Sequence, residues 1–181
     1  MPDPTVALGI IVKNDEEADN LSRLLNSIAS HVDGVFVTAT KNPTQKIQDI
    51  CQRYKVNLDL RPGEFTDHIN KTEAKWFKEF TGWEPALKPF EKIFLFDQAR
   101  NANLDFIPDE FDWFFWADTD DVVRNGQFLK QVIADHQKTG NEAVFLNYLY
   151  QVEWDRSGNI KNIIIQHLRE RLVRINGDFR K

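Results

Sequence analysis

The sequence is short of several things, and each shortage excludes a class of protein. It has a single cysteine, Cys51, so no disulfide can form within the chain, and a reducing compartment is the simple reading. It has no basic excess. The net charge is −5 and the pI about 5.4, which argues against a general nucleic-acid binder. A phosphorylated small molecule stays open, because a metal ion can supply the positive charge. No stretch approaches the ~18 apolar residues of a membrane helix. Met1-Pro2-Asp3-Pro4 lacks the basic region and apolar core of a signal peptide. Internal repeats and low-complexity tracts are absent too. The expectation is a soluble cytoplasmic protein without a transmembrane segment. At 181 residues, 41% hydrophobic and 28% charged, residues 1–181 suffice for one domain with a real core.

What is present has an alternating rhythm. Residues 6–12 are almost purely aliphatic, as in a strand buried on both faces of a parallel sheet. Asn14 and Asp15 follow as helix caps, and Leu21, Leu24, Leu25 and Ile28 fall at helical spacing. A strand is expected over 34–37. Asn42-Pro43 then opens a second helix with Pro at its first position, and Ile47, Ile50, Cys51 and Tyr54 form its stripe. Residues 56–60 read as a third strand. This β-α-β-α-β order predicts a parallel α/β sheet with right-handed crossovers. Residues 61–92 break the rhythm, as an aromatic-rich insertion with a short helix over 73–80. A helix over 96–106, a buried strand over 113–117 and a helix over 128–136 follow. Residues 143–153 and 162–175 read as an antiparallel strand pair around the turn residues Asp155-Arg156-Ser157-Gly158-Asn159.

The most informative stretch is Trp113-Phe114-Phe115-Trp116-Ala117-Asp118-Thr119-Asp120-Asp121. A hydrophobic strand delivers three carboxylates to the edge where open α/β sheets bind ligands. Like charges this close repel, and a divalent cation would resolve the conflict. Mg²⁺ and Mn²⁺ take one or two carboxylates plus substrate phosphates, and ease departure of a pyrophosphate. The plain alternative is a solvated acidic turn capping the next helix. A calcium EF-hand is excluded, because its sixth and twelfth positions would be Val123 and Leu129. Position 122 is Val where a haloacid dehalogenase phosphatase would carry Thr.

Three blocks in order resemble the family 2 glycosyltransferases of GT-A (Rossmann-like) fold. Ile11-Val12-Lys13-Asn14-Asp15-Glu16-Glu17, with Leu21 and Leu24-Leu25, is similar to the family's opening strand, acidic turn and Leu-rich helix. Ala99-Arg100-Asn101 is similar to its Ala-Arg-Asn helix start, and residues 112–121 to the strand entering its Asp-X-Asp motif. The resemblance covers residues 5–135 well and the rest loosely. It implies a mainly parallel sheet flanked by helices, a nucleotide diphosphate sugar as donor (a UDP-sugar by resemblance only), and Mn²⁺ or Mg²⁺ as cofactor. It implies Asp120 as the direct metal ligand. Asp118 would face the ribose or sugar, or reach the metal through water. Val12, Lys13, Asn14 and Asp15 would border the base, with Arg100 beside the nucleotide and sugar. Each has a plain alternative: Asn14 and Asp15 as helix caps, and Arg100 as a partner of Asp97 or Asp118.

Two departures qualify this. The family's base-contacting Asp after the second strand is missing from Val37-Thr38-Ala39-Thr40-Lys41-Asn42-Pro43-Thr44, where Thr38 or Thr40 would have to serve. No acidic motif follows His167-Leu168-Arg169-Glu170-Arg171-Leu172-Val173-Arg174-Ile175 to supply a general base, which leaves Asp121, Glu170 and Asp178 as candidates. The favoured expectation is that the chain is a fragment that binds donor and transfers poorly.

In the insertion, Trp76, Phe77 and Phe80 share one helical face. Aromatic faces stack on sugars, but packing of this face on the domain is the favoured expectation. Two rival functions remain. A nucleotidyltransferase would carry a Gly- and Arg-rich loop after the first strand, where this chain has the acidic residues 13–17. A nucleotide-sugar-binding module without catalysis is the other, supported by the missing base.

Overall fold

The computed structural model describes residues 3–68, 70–82 and 92–175. Trp83, Pro85, Pro89, Phe90 and Asp178 lie outside them. One sheet of six strands carries the fold, in the order β3-β2-β1-β6-β8-β7. Strands β1 (Val6–Val12), β2 (Gly34–Ala39), β3 (Asn57–Leu60) and β6 (Trp113–Ala117) run parallel. The long strands β7 (Ala143–Trp154) and β8 (Ile160–Arg174) pair antiparallel, and β8 joins the sheet antiparallel to β6. This is the mainly parallel α/β sheet with a C-terminal antiparallel pair that the alternation predicts.

Every residue of β1 is buried, and its two faces feed two layers. Val6, Leu8, Ile10 and Val12 pack with Leu21, Leu24, Leu25 and Ile28 of α1 (Ala18–Ile28), Ile47 and Ile50 of α2 (Gln45–Arg53), and Ile133 of α5 (Leu129–Lys138). On the other face Ala7 packs with Ile107 and Phe114, and Ile11 with Phe65 and Ala99, under α4 (Phe96–Phe106). Each large aliphatic side chain buried this way contributes about 1.5–3 kcal/mol.

Helix α4 is locked down by Asn103, which is 1% exposed. Its amide donates to the Ile10 and Phe36 carbonyls at 3.3 and 3.2 Å and to the Thr38 hydroxyl at 3.0 Å. Gly9 permits this approach, since a Cβ there would sit 2.2 Å from both Asn103 Oδ1 and the Phe114 ring.

Three expectations are corrected. Helix α2 starts at Gln45 with Thr44 as cap, so Asn42-Pro43 leads in from outside. The insertion holds a two-stranded ribbon, β4 (Thr66–His68) with β5 (Lys92–Phe94), as well as α3 (Lys71–Thr81). Trp76 and Phe80 on the aromatic face of α3 are not packed on the described residues: they are 60% and 76% exposed, and their rings stack on each other at 5.2 Å. Both ends of the helix are capped. Asn70 and Glu73 close a capping box at its start, and Gly82 ends it at φ +66.

Candidate functional site at the carboxyl edge of the sheet

The chain leaves β1 toward β2, while β6 lies on the other side of β1. This is the topological switch point, where α/β sheets open a crevice beyond the strand ends. Ile11 pairs with Thr38 and Ile10 with Ala117, so residues 12–14 and Asp118 emerge at the same edge.

On the β1 side, Asn14 acts as a cap. Its side chain accepts from the Glu16 amide at 3.1 Å and starts a 3-10 turn ahead of α1. Asp15 accepts from the Thr44 amide at 3.2 Å and so ties two turns together. Val12 is buried, with its carbonyl taken by the Thr40 amide. Thr38 is fully buried against Asn103 and presents no surface. Lys13 is exposed. Its ammonium lies 5.2 and 5.3 Å from the ring centres of Phe94 and Phe96, within cation–π range. The segment that follows the insertion thus comes beside Lys13 through Phe94 and Phe96.

On the β6 side, the turn is neutralised by arginines. Arg100 lies 3.2 Å from Asp118 Oδ1. Arg171 lies 3.4 Å from Asp118 Oδ2 and 3.1 Å from Asp121 Oδ2. Both guanidinium groups also lie over the Trp116 ring, at 3.7 and 3.9 Å from its centre. Burial pushes the Arg100 guanidinium pKa down, against the opposing pull of Asp118. Asp121 is committed further: it accepts from the Asp118 amide at 2.9 Å and from the Tyr148 hydroxyl at 2.8 Å. Like-charge repulsion at Asp118 and Asp121 is therefore relieved by guanidinium groups, without a cation. Asp120 is different. It is exposed, and its carboxylate accepts no hydrogen bond from the described residues, although Arg23 reaches its backbone carbonyl at 3.4 Å.

Arg171 is the residue that sequence reasoning missed. Val144 pairs with Leu172 but Phe145 with Glu170, so Arg171 is the extra residue of a β-bulge. Bulges re-aim side chains beside functional sites. Here the bulge directs a 3% exposed arginine into the acidic turn. Glu170 is exposed on β8 and makes no hydrogen bond or ion pair with the turn.

A concavity of about 1230 Å³ begins at Asp120 and Asp121 and runs along β7 past Tyr148, Tyr150 and Trp154, with Arg124 over the Trp154 ring at 4.9 Å. A second, of about 560 Å³, follows α2 and β3 and contains none of the expected site residues.

Among the described residues, no group of three His, Cys, Asp or Glu side chains stands ready to hold a metal ion. Two carboxylates would suit a hard cation that brings its own phosphate oxygens: Asp120, whose carboxylate has no partner among the described residues, and Asp118, were it to give up its arginines. Among the described residues no helix is long and apolar enough to cross a membrane.

Fold and site together define a mixed α/β protein of the GT-A, Rossmann-like kind, with an arginine-clamped acidic turn at the switch point. Its fold is similar to that of 4-diphosphocytidyl-2C-methyl-D-erythritol synthase from Anaerococcus prevotii, at TM-score 0.53 and 10% identity, covering 94% of this chain and 70% of that one. A further solved structure of a synthase of that name scores 0.49 at 14% identity, over 96% and 76% of the two chains. Glucosyl-3-phosphoglycerate synthase from Mycobacterium tuberculosis, solved with Mn²⁺, uridine diphosphate and glucosyl-3-phosphoglycerate, scores 0.46 at 13% identity, over 77% of this chain and 42% of that one. No protein-family model and no curated protein matches the sequence.

Proposed function

We propose that the chain is the donor-binding part of a metal-dependent glycosyltransferase, which moves a sugar from a nucleotide diphosphate to an acceptor hydroxyl. The observation that carries this is the convergence of Asn14, Lys13, Arg100, Asp118 and Asp120 on one switch-point edge. Their sequence blocks are those that resemble family 2 glycosyltransferases. In this reading Lys13, Asn14 and Asp15 border the base, and Asp120 with Asp118 holds Mn²⁺ or Mg²⁺. A cation held there would supply the positive charge that a departing diphosphate needs. The concavity along β7 offers room for an acceptor beside Asp120. Asp121, Glu170 and Asp178 remain the carboxylates nominated as base.

A nucleotidyltransferase is the second reading, raised by the fold likeness to the Anaerococcus prevotii 4-diphosphocytidyl-2C-methyl-D-erythritol synthase. The acidic turn at residues 13–17 counts against it, because it offers no glycine- and arginine-rich phosphate loop. Product analysis by phosphorus NMR separates the two. Incubation with nucleotide sugars, Mn²⁺ and candidate acceptors should release a nucleoside diphosphate. Pyrophosphate released from a nucleoside triphosphate and a sugar phosphate would replace the first reading with the second.

A further inference from the structure

Arg100 and Arg171 share Asp118, but they would fare differently without it. Arg171 would keep Asp121 at 3.1 Å and the Trp116 carbonyl at 3.4 Å. Arg100 has Asp118 as its hydrogen-bonding partner among the described residues, and otherwise lies over the rings of Phe96 and Trp116 at 4.6 and 3.7 Å. Its side chain is 21% exposed. A ring face attracts a cation but does not accept the in-plane N–H bonds of a guanidinium. Removing Asp118 therefore strands a partly buried charge, which is costly.

Any ligand that takes Asp118 must give Arg100 a new acceptor. A lone divalent cation takes the carboxylate and leaves two positive groups side by side. A cation carrying a diphosphate takes the carboxylate and returns phosphate oxygens, which suit the guanidinium fork.

On the nucleotide-sugar reading above, we propose that Arg100 is an exchange residue. It neutralises Asp118 in the free site and passes to a phosphate oxygen of a nucleoside diphosphate when a divalent cation takes Asp118. Arg171 stays in place, held by Asp121 and Trp116, as a fixed positive wall. Cation and diphosphate then bind cooperatively, and each alone binds weakly.

The test is Mn²⁺ binding by the full chain, read from the electron paramagnetic resonance of the free ion, with and without uridine diphosphate. Arg100→Met keeps the stem over the rings and removes the charge. It should bind Mn²⁺ alone about tenfold more tightly than wild type, within the ordinary range of coupling between sites. It should also lose the gain in Mn²⁺ affinity that uridine diphosphate gives the wild type. Arg100→Lys should bind Mn²⁺ alone as weakly as wild type and keep part of the gain. Should the methionine variant not fold by circular dichroism, Arg100→Gln carries the same two expectations. Unchanged affinity for Mn²⁺ alone in the uncharged variant, or a full gain from uridine diphosphate, overturns the proposal. If uridine diphosphate gives the wild type no gain, the nucleotide reading fails instead, while tighter Mn²⁺ binding by the uncharged variant would still reveal competition at Asp118.

Discussion

The phenol of Tyr148 donates a 2.8 Å hydrogen bond to Oδ1 of Asp121. Tyr148 lies on β7 and Asp121 in the turn that follows β6, and those two strands are not neighbours, for β8 runs between them. The bond therefore reaches across the strand that carries Arg171. Burial, then the bond to Asp121 and its charge, pushes the Tyr148 pKa up to about 12. The folded state thus holds the phenolic proton more tightly than the unfolded state. The stabilisation from this group is complete below the ordinary tyrosine pKa near 10 and is lost as pH rises through about 12. Ultraviolet titration of tyrosinate should show a late step near that pH, which Tyr148→Phe removes.

Arg171 is the structural counterion of the acidic turn. Arg171→Met should cost about 3 kcal/mol in urea unfolding, because two carboxylates lose their shared partner in a part-buried place. The same change made in an Asp121→Asn background should cost less, since one of the stranded charges is already gone. Equal costs in the two backgrounds would mean that the ion pair contributes nothing.

Asp120 should behave as a ligand without structural duty. Asp120→Asn is expected to leave unfolding within about 0.5 kcal/mol of wild type, as at most exposed positions. It should also abolish the gain in nucleotide affinity that Mn²⁺ confers, measured by calorimetry with uridine diphosphate. Full retention of that gain would remove Asp120 from the metal site.

The seat of α4 depends on a missing side chain. Gly9→Ala must push a Cβ against Asn103 and Phe114, an overpacking that typically costs about 1–3 kcal/mol. Asn103→Ala, which strips three hydrogen bonds from the same place, should cost about as much. Urea midpoints of the two variants and of the pair check this. Costs that summed fully in the double variant would contradict a shared origin.

Exposure of the α3 aromatics leads to an expectation opposite to that for a core stripe. Trp76→Ser and Phe80→Ser should each shift stability by no more than about 0.5 kcal/mol. Core residues would lose about 3–5 kcal/mol on comparable truncation. Thermal unfolding distinguishes the two cases directly.

What could be read from the sequence was whatever a short pattern determines. The aliphatic run of β1, the aromatic run of β6 and the helical stripe of α1 each specify an element and its burial together. Ribbon β4–β5 left no such trace, because three-residue strands such as Thr66-Asp67-His68 are too short to show a period. Periodicity also announced α3 correctly but was silent on whether anything covers its aromatic face. The pairing of Arg100 with Asp118 was among the readings of the sequence, since both flank the same edge. Arg171 was not, because its aim depends on one unpaired residue in β8, and register is a property of two strands rather than one.

Asn103 follows Arg100 by three residues, one turn along α4, and its amide is bolted to β1 and β2. The backbone beneath Arg100 is therefore anchored to the sheet. A change of partner by its guanidinium has to come from rotation about the side chain's own bonds, with no hinge to open and no lid to wait for. Side-chain rotation of this kind needs no backbone movement, whereas domain closures take about microseconds to milliseconds. On the exchange proposed above, the electrostatics of this crevice would therefore reset without waiting for a domain movement.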